Sequence, residues 1–546
     1  MKIRQWLILA VLGLLMTAVV QTSGRVDTIS SRPAPVPQRD RLDQAVQQLD
    51  AWFQTSWQTA DIQPAPPASD LAVFRRVSLA LFGCSPSLED IRAFEQDTAP
   101  DRLDRWIRQM LRDPRFAGYF ARRLSRSLAG VEQGPFILFR RDRLTEWLEE
   151  QLIADASWSE MAQKLIAAEG LWTDQPAANY ITIARMENED IDVNKLAGRT
   201  VRTFLGQRID CAQCHDHFFD PRWKQKHFEG FASWFGQVHV TLGGVTDAPS
   251  PDSPPREYRV FDPGKEESDG RIVAPDVPFH SEWLPEHGSR RARLAAWITH
   301  PQNRRFERAI ANRIWGLMFG RPFHEPVDDI PHPEDRPEDP LDILGREFRA
   351  RGDRLSTLIR MTALSAPFRL STAAAEDSGV YRLQNEKWAG FPLVRLRPEQ
   401  VIGSLFQAGR VRSVDQNSHP LIRLTRFTFE NDFIQDYGDA GEDELIPQDA
   451  TIAQMLLKMN GRFSQELGKV DLLTGPAEVL SLSPDDTAII ENSFLMCLSR
   501  RPLPEELLHF QKQLQQARQE GDGQREAVVE DLFWALFNSP EFAWNH

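Results

Sequence analysis

The sequence predicts a mostly α-helical protein, built as two helical domains joined by a Pro-rich linker with few short strands. Three observations predict it. Apolar residues recur three and four apart through most of the chain, the spacing that gathers them on one helix face. Alternating apolar and polar runs, which would mark half-buried strands, are scarce. One stretch, from about Gly243 to Pro278, interrupts the periodicity with Pro249, Pro251, Pro254, Pro255, Pro263 and Gly264.

The elements follow in order. Lys2, Ile3 and Arg4 precede an uncharged apolar run from Trp6 to Val20, the n-region and h-region of an export signal. The run is shorter than the ~20 residues that span a bilayer. Residues 1–24 are therefore expected to be a signal peptide or an N-terminal anchor, and the body to be periplasmic or envelope-bound. Membrane contact is expected only through that segment, if it is uncleaved. Residues 25–68 form a tether broken by Pro33, Pro35, Pro37, Pro64, Pro66 and Pro67, with a short amphipathic helix from Leu42 to Phe53. The first helical domain is placed at 69–243. Ser69 or Asp70 caps a run in which Leu71, Phe74, Ser78 and Leu81 share a face. Leu103, Ile107 and Leu111, then Leu144, Leu148 and Ile153, repeat the pattern, and Val238 to Thr241 is the best strand. The linker is placed at 244–283. The second helical domain, 284–546, resumes with runs at Leu294–Ile298, Ile310–Phe319 and Leu355–Leu364.

The two ends resemble each other. Pro86, Glu89, Asp90, Ile91 and Phe94 align without gaps with Pro502, Glu505, Glu506, Leu507 and Phe510. Asp113-Pro114-Arg115-Phe116-Ala117 likewise matches Ser539-Pro540-Glu541-Phe542-Ala543. Neither copy carries a nucleophile or ligand cluster, so the expected role is structural.

Composition excludes several classes. With 64 Lys+Arg against 78 Asp+Glu the net charge is −14, so no nucleic-acid partner is expected. At 41% hydrophobic and 26% charged residues the chain is globular, and 4 Cys in 546 residues make no disulfide scaffold.

One pentapeptide carries chemistry. Cys211-Ala212-Gln213-Cys214-His215 has the C-x-x-C-H spacing of covalent haem c attachment. Two thiols three residues apart can each form a thioether to one porphyrin edge, and the adjacent imidazole can reach the iron. Asp216, His217 and Asp220 follow. The same residues therefore also fit Zn or another transition metal held by Cys211, Cys214, His215 and His217, or a redox disulfide. Asp216 or Asp220 would orient His215 or His217 by hydrogen bonding. His227, His239, Met455 and Met459 are candidates for a sixth haem ligand. Cys84 and Cys497, in apolar surroundings, are expected as buried free thiols. A second polar cluster, His324 to Asp339, reads as a solvated acidic loop or a hard-cation site. The 15 Trp read as core anchors, with a carbohydrate groove as the alternative.

With its flanks, Cys211 to Asp220, Trp223 and the aromatic run Phe228 to Phe235 resemble the planctomycete cytochrome-C-like domain. Arg76 to Gly83 and the Pro86 turn are similar to its opening helix. Asn303 to Asp329, Leu457 to Gly461 and Asn538 to His546 resemble the companion domain of unknown function. The resemblance implies an exported protein of unestablished activity. Longer relatives carry a separate cytochrome c domain that is absent here, so haem would have to sit at Cys211, Cys214 and His215. The expected function is electron transfer or redox sensing with an envelope partner. The alternatives are a non-haem envelope scaffold with a structural Cys/His site, or a metal-dependent hydrolase joining His217 to the carboxylates near Asp328.

Overall fold

The computed structural model describes residues 41–130, 141–184, 191–216, 223–249, 255–261, 270–372, 378–414, 445, 454, 466–471 and 474–545. The signal segment, His217, Asp220, Met455 and Met459 lie outside the described residues. Helices dominate, and the strands form three two-stranded antiparallel pairs. β1 (His239–Thr241) pairs with β2 (Gly244–Thr246), and β3 (Arg259–Val260) with β4 (Arg271–Ile272). The last pair joins distant parts of the chain: β5 (Val394–Arg395) meets β6 (Trp544–Asn545).

Local signals set the helix ends. The amphipathic stretch at Leu42 becomes the helix Asp43–Thr59, burying Ala45, Leu49, Phe53 and Trp57. Ser69 accepts a hydrogen bond from Ala72 N and opens the helix Asp70–Phe82, which Gly83 ends at φ 68°. Leu103 and Ile107 fall in Arg102–Met110, and Leu144 and Leu148 in Arg141–Ile153.

Two hydrophobic cores result. The first runs from Leu42 through Phe391 and includes residues on both sides of 244–283. Its axis is the helix Arg304–Phe319, buried from Arg305 onward. There Trp315 stacks on Phe53 and Phe319, and Phe319 stacks on Phe391. Eight tryptophans, Trp57, Trp106, Trp158, Trp223, Trp234, Trp297, Trp315 and Trp388, are buried, so core anchoring is their main use. Segment 244–283 is strapped down: Val245, Tyr258, Val273 and Val277 are buried, Ser233 Oγ donates to Val273 O, and Trp234 Nε1 donates to Asp276 O.

The second core joins Leu79, Leu88 and Ile91 to residues 396–408 and 479–542. Here the end-to-end similarity takes physical form and reaches one helix further than the sequence match. Asp70–Phe82 and Asp486–Leu498 have equal length, are capped by Ser69 and Asp485, and stop at left-handed residues, Gly83 and Ser499. In both units a Pro-containing turn follows: Leu88–Gln96 and Pro504–Glu520 come next, and a capping residue before Pro114 or Pro540 closes each. The two units pack together. Arg92 donates to Asn492 Oδ1 at 2.8 Å, and Arg501 pairs with Glu95 at 2.6 Å.

The helix Asp70–Phe82 belongs to both cores. Arg75 reaches the C-terminal unit and donates to Cys497 O and Phe542 O. Arg76 points the other way, donating to Phe368 O and Leu370 O, both at 2.7 Å, with Phe391 3.7 Å below its guanidinium. Burial lowers both pKa values, Arg75 to about 10 and Arg76 to about 9, so both are charged at neutral pH. The helix Pro398–Ala408 closes over the Gly83 turn, where Gln400 Nε2 donates to Leu79 O and Ser404 Oγ accepts from Ser85 N. A Cβ on Gly403 would overlap the carbonyl oxygen of Gly83. Gly403→Ala is expected to lower stability by about 2–3 kcal/mol, since backbone must move; urea unfolding measures it.

Candidate functional site

The Cys–His turn hangs from one helix and is clamped by another. Asp192 caps Val193–Leu205 by accepting from Asn194 N and Lys195 N, and Gly206 ends it at φ 59°. Gly206 O accepts from Ile330 N, Gln207 Nε2 donates to Asp329 Oδ1, and Arg208 Nε meets Asp328 Oδ1 at 2.8 Å. The 3-10 turn Asp210–Gln213 follows, with Ala212 buried as its plug. Asp210 pairs with Arg202 at 2.6 Å and lies over Gly198, where a Cβ would meet Asp210 Oδ1 at 2.7 Å.

This places Cys211, Cys214, His215 and Asp216 together and exposed on one surface turn. Both cysteines are free thiols; Cys84 and Cys497 are free and buried, as their apolar settings predict. Burial pushes the Cys497 thiol up, and of the four thiols those of Cys211 and Cys214 are the exposed ones. His215 Nδ1 lies 2.9 Å from the main-chain carbonyl of Asp216. A carbonyl only accepts, so Nδ1 carries the proton and Nε2 carries the lone pair. Of the two carboxylates expected to orient the ring, Asp216 offers its main-chain oxygen, and Asp220 lies outside the described residues. Asp216 Oδ1 instead accepts from Gln225 N, where the helix Gln225–Ala232 offers its otherwise unsatisfied first amides. Gln225 Nε2 donates to Gln213 O, and His227 Nδ1 accepts from Lys224 N. His227 therefore rides on the helical turn that clamps the cysteines. His239 is buried in β1 against Gln237 O.

The polar cluster at 324–339 is exposed at Glu325, Glu334, Asp335 and Glu338, as a solvated loop predicts, but not at its centre. Its central carboxylates are buried and matched by arginines from remote elements, Asp328 by Arg208 and Arg202 and Asp339 by Arg308, with Arg336 of the same loop also 3.3 Å from Asp339. Spacing along the chain does not reveal those partners. Among the described residues no group of three or more His, Cys, Asp or Glu is placed to hold a metal ion. Asp328 does approach the Cys–His segment, through Arg202, but its charge is committed to guanidinium groups.

Beside the turn opens a cleft of about 490 Å³. Arg126, Lys195, Arg199, Arg202, Arg208 and Arg313 line it against Asp210, Glu325 and Asp328. Lys195, Arg199 and Arg202 stand at i, i+4 and i+7 of one helix, a basic stripe visible in the sequence though not recognised there. In a chain of net charge −14 this is a local reversal of sign. The donor set fits haem c by its chemistry: two reduced, exposed thiols and an imidazole whose Nε2 carries the lone pair.

Residues 48–240 match the family model PSCyt2, a protein of unknown function (DUF1549), and residues 290–514 match PSD1, a protein of unknown function (DUF1553). No curated protein and no solved structure matches the chain.

Proposed function

Because the chain belongs to the two-domain family in which PSCyt2 is followed by PSD1, both of unknown function, we propose its role from the Cys–His turn. It is an exported protein of the cell envelope that carries haem c at Cys211 and Cys214, with His215 Nε2 as the proximal ligand, and exchanges electrons with an envelope partner. The observation that carries this reading is the 2.9 Å contact between His215 Nδ1 and the Asp216 carbonyl, because a proximal imidazole donates its Nδ1 proton to such an acceptor and turns Nε2 to the iron. When bound, the haem supplies a one-electron couple. The protein's own residues do the rest. Ala212 anchors the turn in the core while the thiols stay accessible, and Gln225 fixes the turn through Asp216 and Gln213 O. The cations of the neighbouring cleft favour carboxylates, whether from porphyrin propionates or from an acidic partner surface. The polar neighbours Gln213, Asp216, Lys224 and Gln225 leave the site open to water, which suits exchange with a docked partner.

The test is a pyridine haemochrome spectrum on protein exported by a host competent in c-type maturation. A c-type α-band is expected, and it should be lost in Cys211→Ala and Cys214→Ala. A colourless wild-type protein would sink the haem reading.

A further inference from the structure

Away from the Cys–His turn, a second cavity of about 570 Å³ opens where the two family segments meet. The end of Arg102–Met110 and the end of Arg141–Ile153 approach the start of Leu355–Leu364 there. Five arginines line it: Arg108, Arg112, Arg351, Arg354 and Arg360. Asp155 is the one carboxylate among the lining residues. Asp104 holds Arg360 through two bonds of 2.7 and 2.8 Å, Glu347 accepts from Arg351 at 3.1 Å, and Asp155 lies 3.4 Å from Arg354. The exposed Arg112 makes no side-chain hydrogen bond or ion pair with any described residue.

The other wall is apolar. Leu111, Phe116, Leu152 and Leu355 contribute to it, and Ile153 stands 62% exposed at its edge. Ser356 and Thr357, in the first turn of Leu355–Leu364, also line the cavity, and no side chain caps that helix. Its positive dipole end therefore adds to the arginine charge. A guanidinium fork matches an oxyanion in two parallel hydrogen bonds, and the volume is that of a small-molecule site.

We propose that this cavity binds an oxyanion carried on an apolar body: a phosphate, sulfate or carboxylate attached to an aromatic or alkyl group. The arginines hold the oxyanion and the Leu111–Phe116–Leu152 wall takes the body. This site is independent of the haem reading.

Isothermal titration of the full chain with 1-naphthyl phosphate, 1-naphthyl sulfate and 1-naphthoate tests it, with inorganic phosphate as a fourth arm. At least one naphthyl oxyanion is expected to bind one-to-one, with the tightest arm assigning the oxyanion. Inorganic phosphate should bind more weakly than naphthyl phosphate. Arg112→Gln should weaken binding about tenfold by removing one charged hydrogen-bond donor, and Arg108→Gln should weaken it further. Arg112 is exposed, so its variant should unfold at the wild-type midpoint, which separates lost binding from lost fold. Absence of one-to-one binding at millimolar concentrations of all three naphthyl ligands would overturn the proposal. So would wild-type affinity in Arg112→Gln. Inorganic phosphate binding as tightly as naphthyl phosphate would overturn the role of the apolar wall.

Discussion

Asp339→Ala is expected to cost about 3–5 kcal/mol of folding free energy, read as a lower urea midpoint at unchanged slope. Asp339 is 1% exposed and serves four donors from three directions. Both terminal nitrogens of the fully buried Arg308 donate to it at 2.9 and 3.0 Å, His324 Nε2 at 2.7 Å, and Leu341 N at 2.9 Å as the cap of Pro340–Ala350. Removing the carboxylate leaves Arg308 with Asp342 alone and takes the cap from the helix. The neighbour Glu338 provides the control. Its pair with Arg346 is exposed on both sides, so Glu338→Gln should cost less than about 1 kcal/mol. The pair also sets a pH window. Burial alone would push the Asp339 carboxyl up, but the bonds from His324 and Arg308 hold it well below the usual carboxylate range. A depressed folded pKa contributes stability that is full above the unfolded value, about 3.9, and lost as pH falls through the folded one. Asp339→Ala should therefore lose that part of the acid-unfolding limb that lies below about pH 4.

Arg76→Ala is expected to cost about 4 kcal/mol, from two buried carbonyls left without a donor and a cavity over the Phe391 ring. Phe368 O and Leu370 O both accept from Arg76 Nη1. Arg76→Met fills the volume without the donors, so it should recover the cavity part of the loss only. Urea unfolding of the two variants separates packing from hydrogen bonding. If Arg76→Met matched the wild type, the carbonyl bonds would contribute nothing and the buried charge would serve only as volume.

Arg76 also shows why part of the fold was hidden in the sequence. Helix positions were legible wherever apolar spacing and a capping residue coincided, as at Ser69 with Phe74 and Leu81. That pattern is silent on Arg75 and Arg76, because polarity ordinarily marks the outside of a helix unless a distant partner supplies acceptors. Those acceptors, Phe368 O and Phe542 O among them, lie hundreds of residues away. The acidic loop failed to declare itself for the same reason: Asp328 and Asp339 are matched by Arg208 and Arg308, which no local spacing predicts. At the candidate site the residue types were legible, since C-x-x-C-H is a local pattern. Their supports were not. The Asp216 carbonyl on His215 and the Gln225 clamp depend on how the chain turns between them.

The helix shared by both cores has a consequence for the order in which the protein is made. Leu79, Leu88 and Ile91 share a core with residues 396 to 542, and Arg75 reaches Phe542, 467 positions later. Translation at about 5–20 residues per second leaves that face uncovered for roughly 20–90 s after it emerges. Folding of the second core therefore waits for residues near 542, with a high contact order and a correspondingly slow step. During that interval the nascent chain presents an apolar surface to chaperones and proteases.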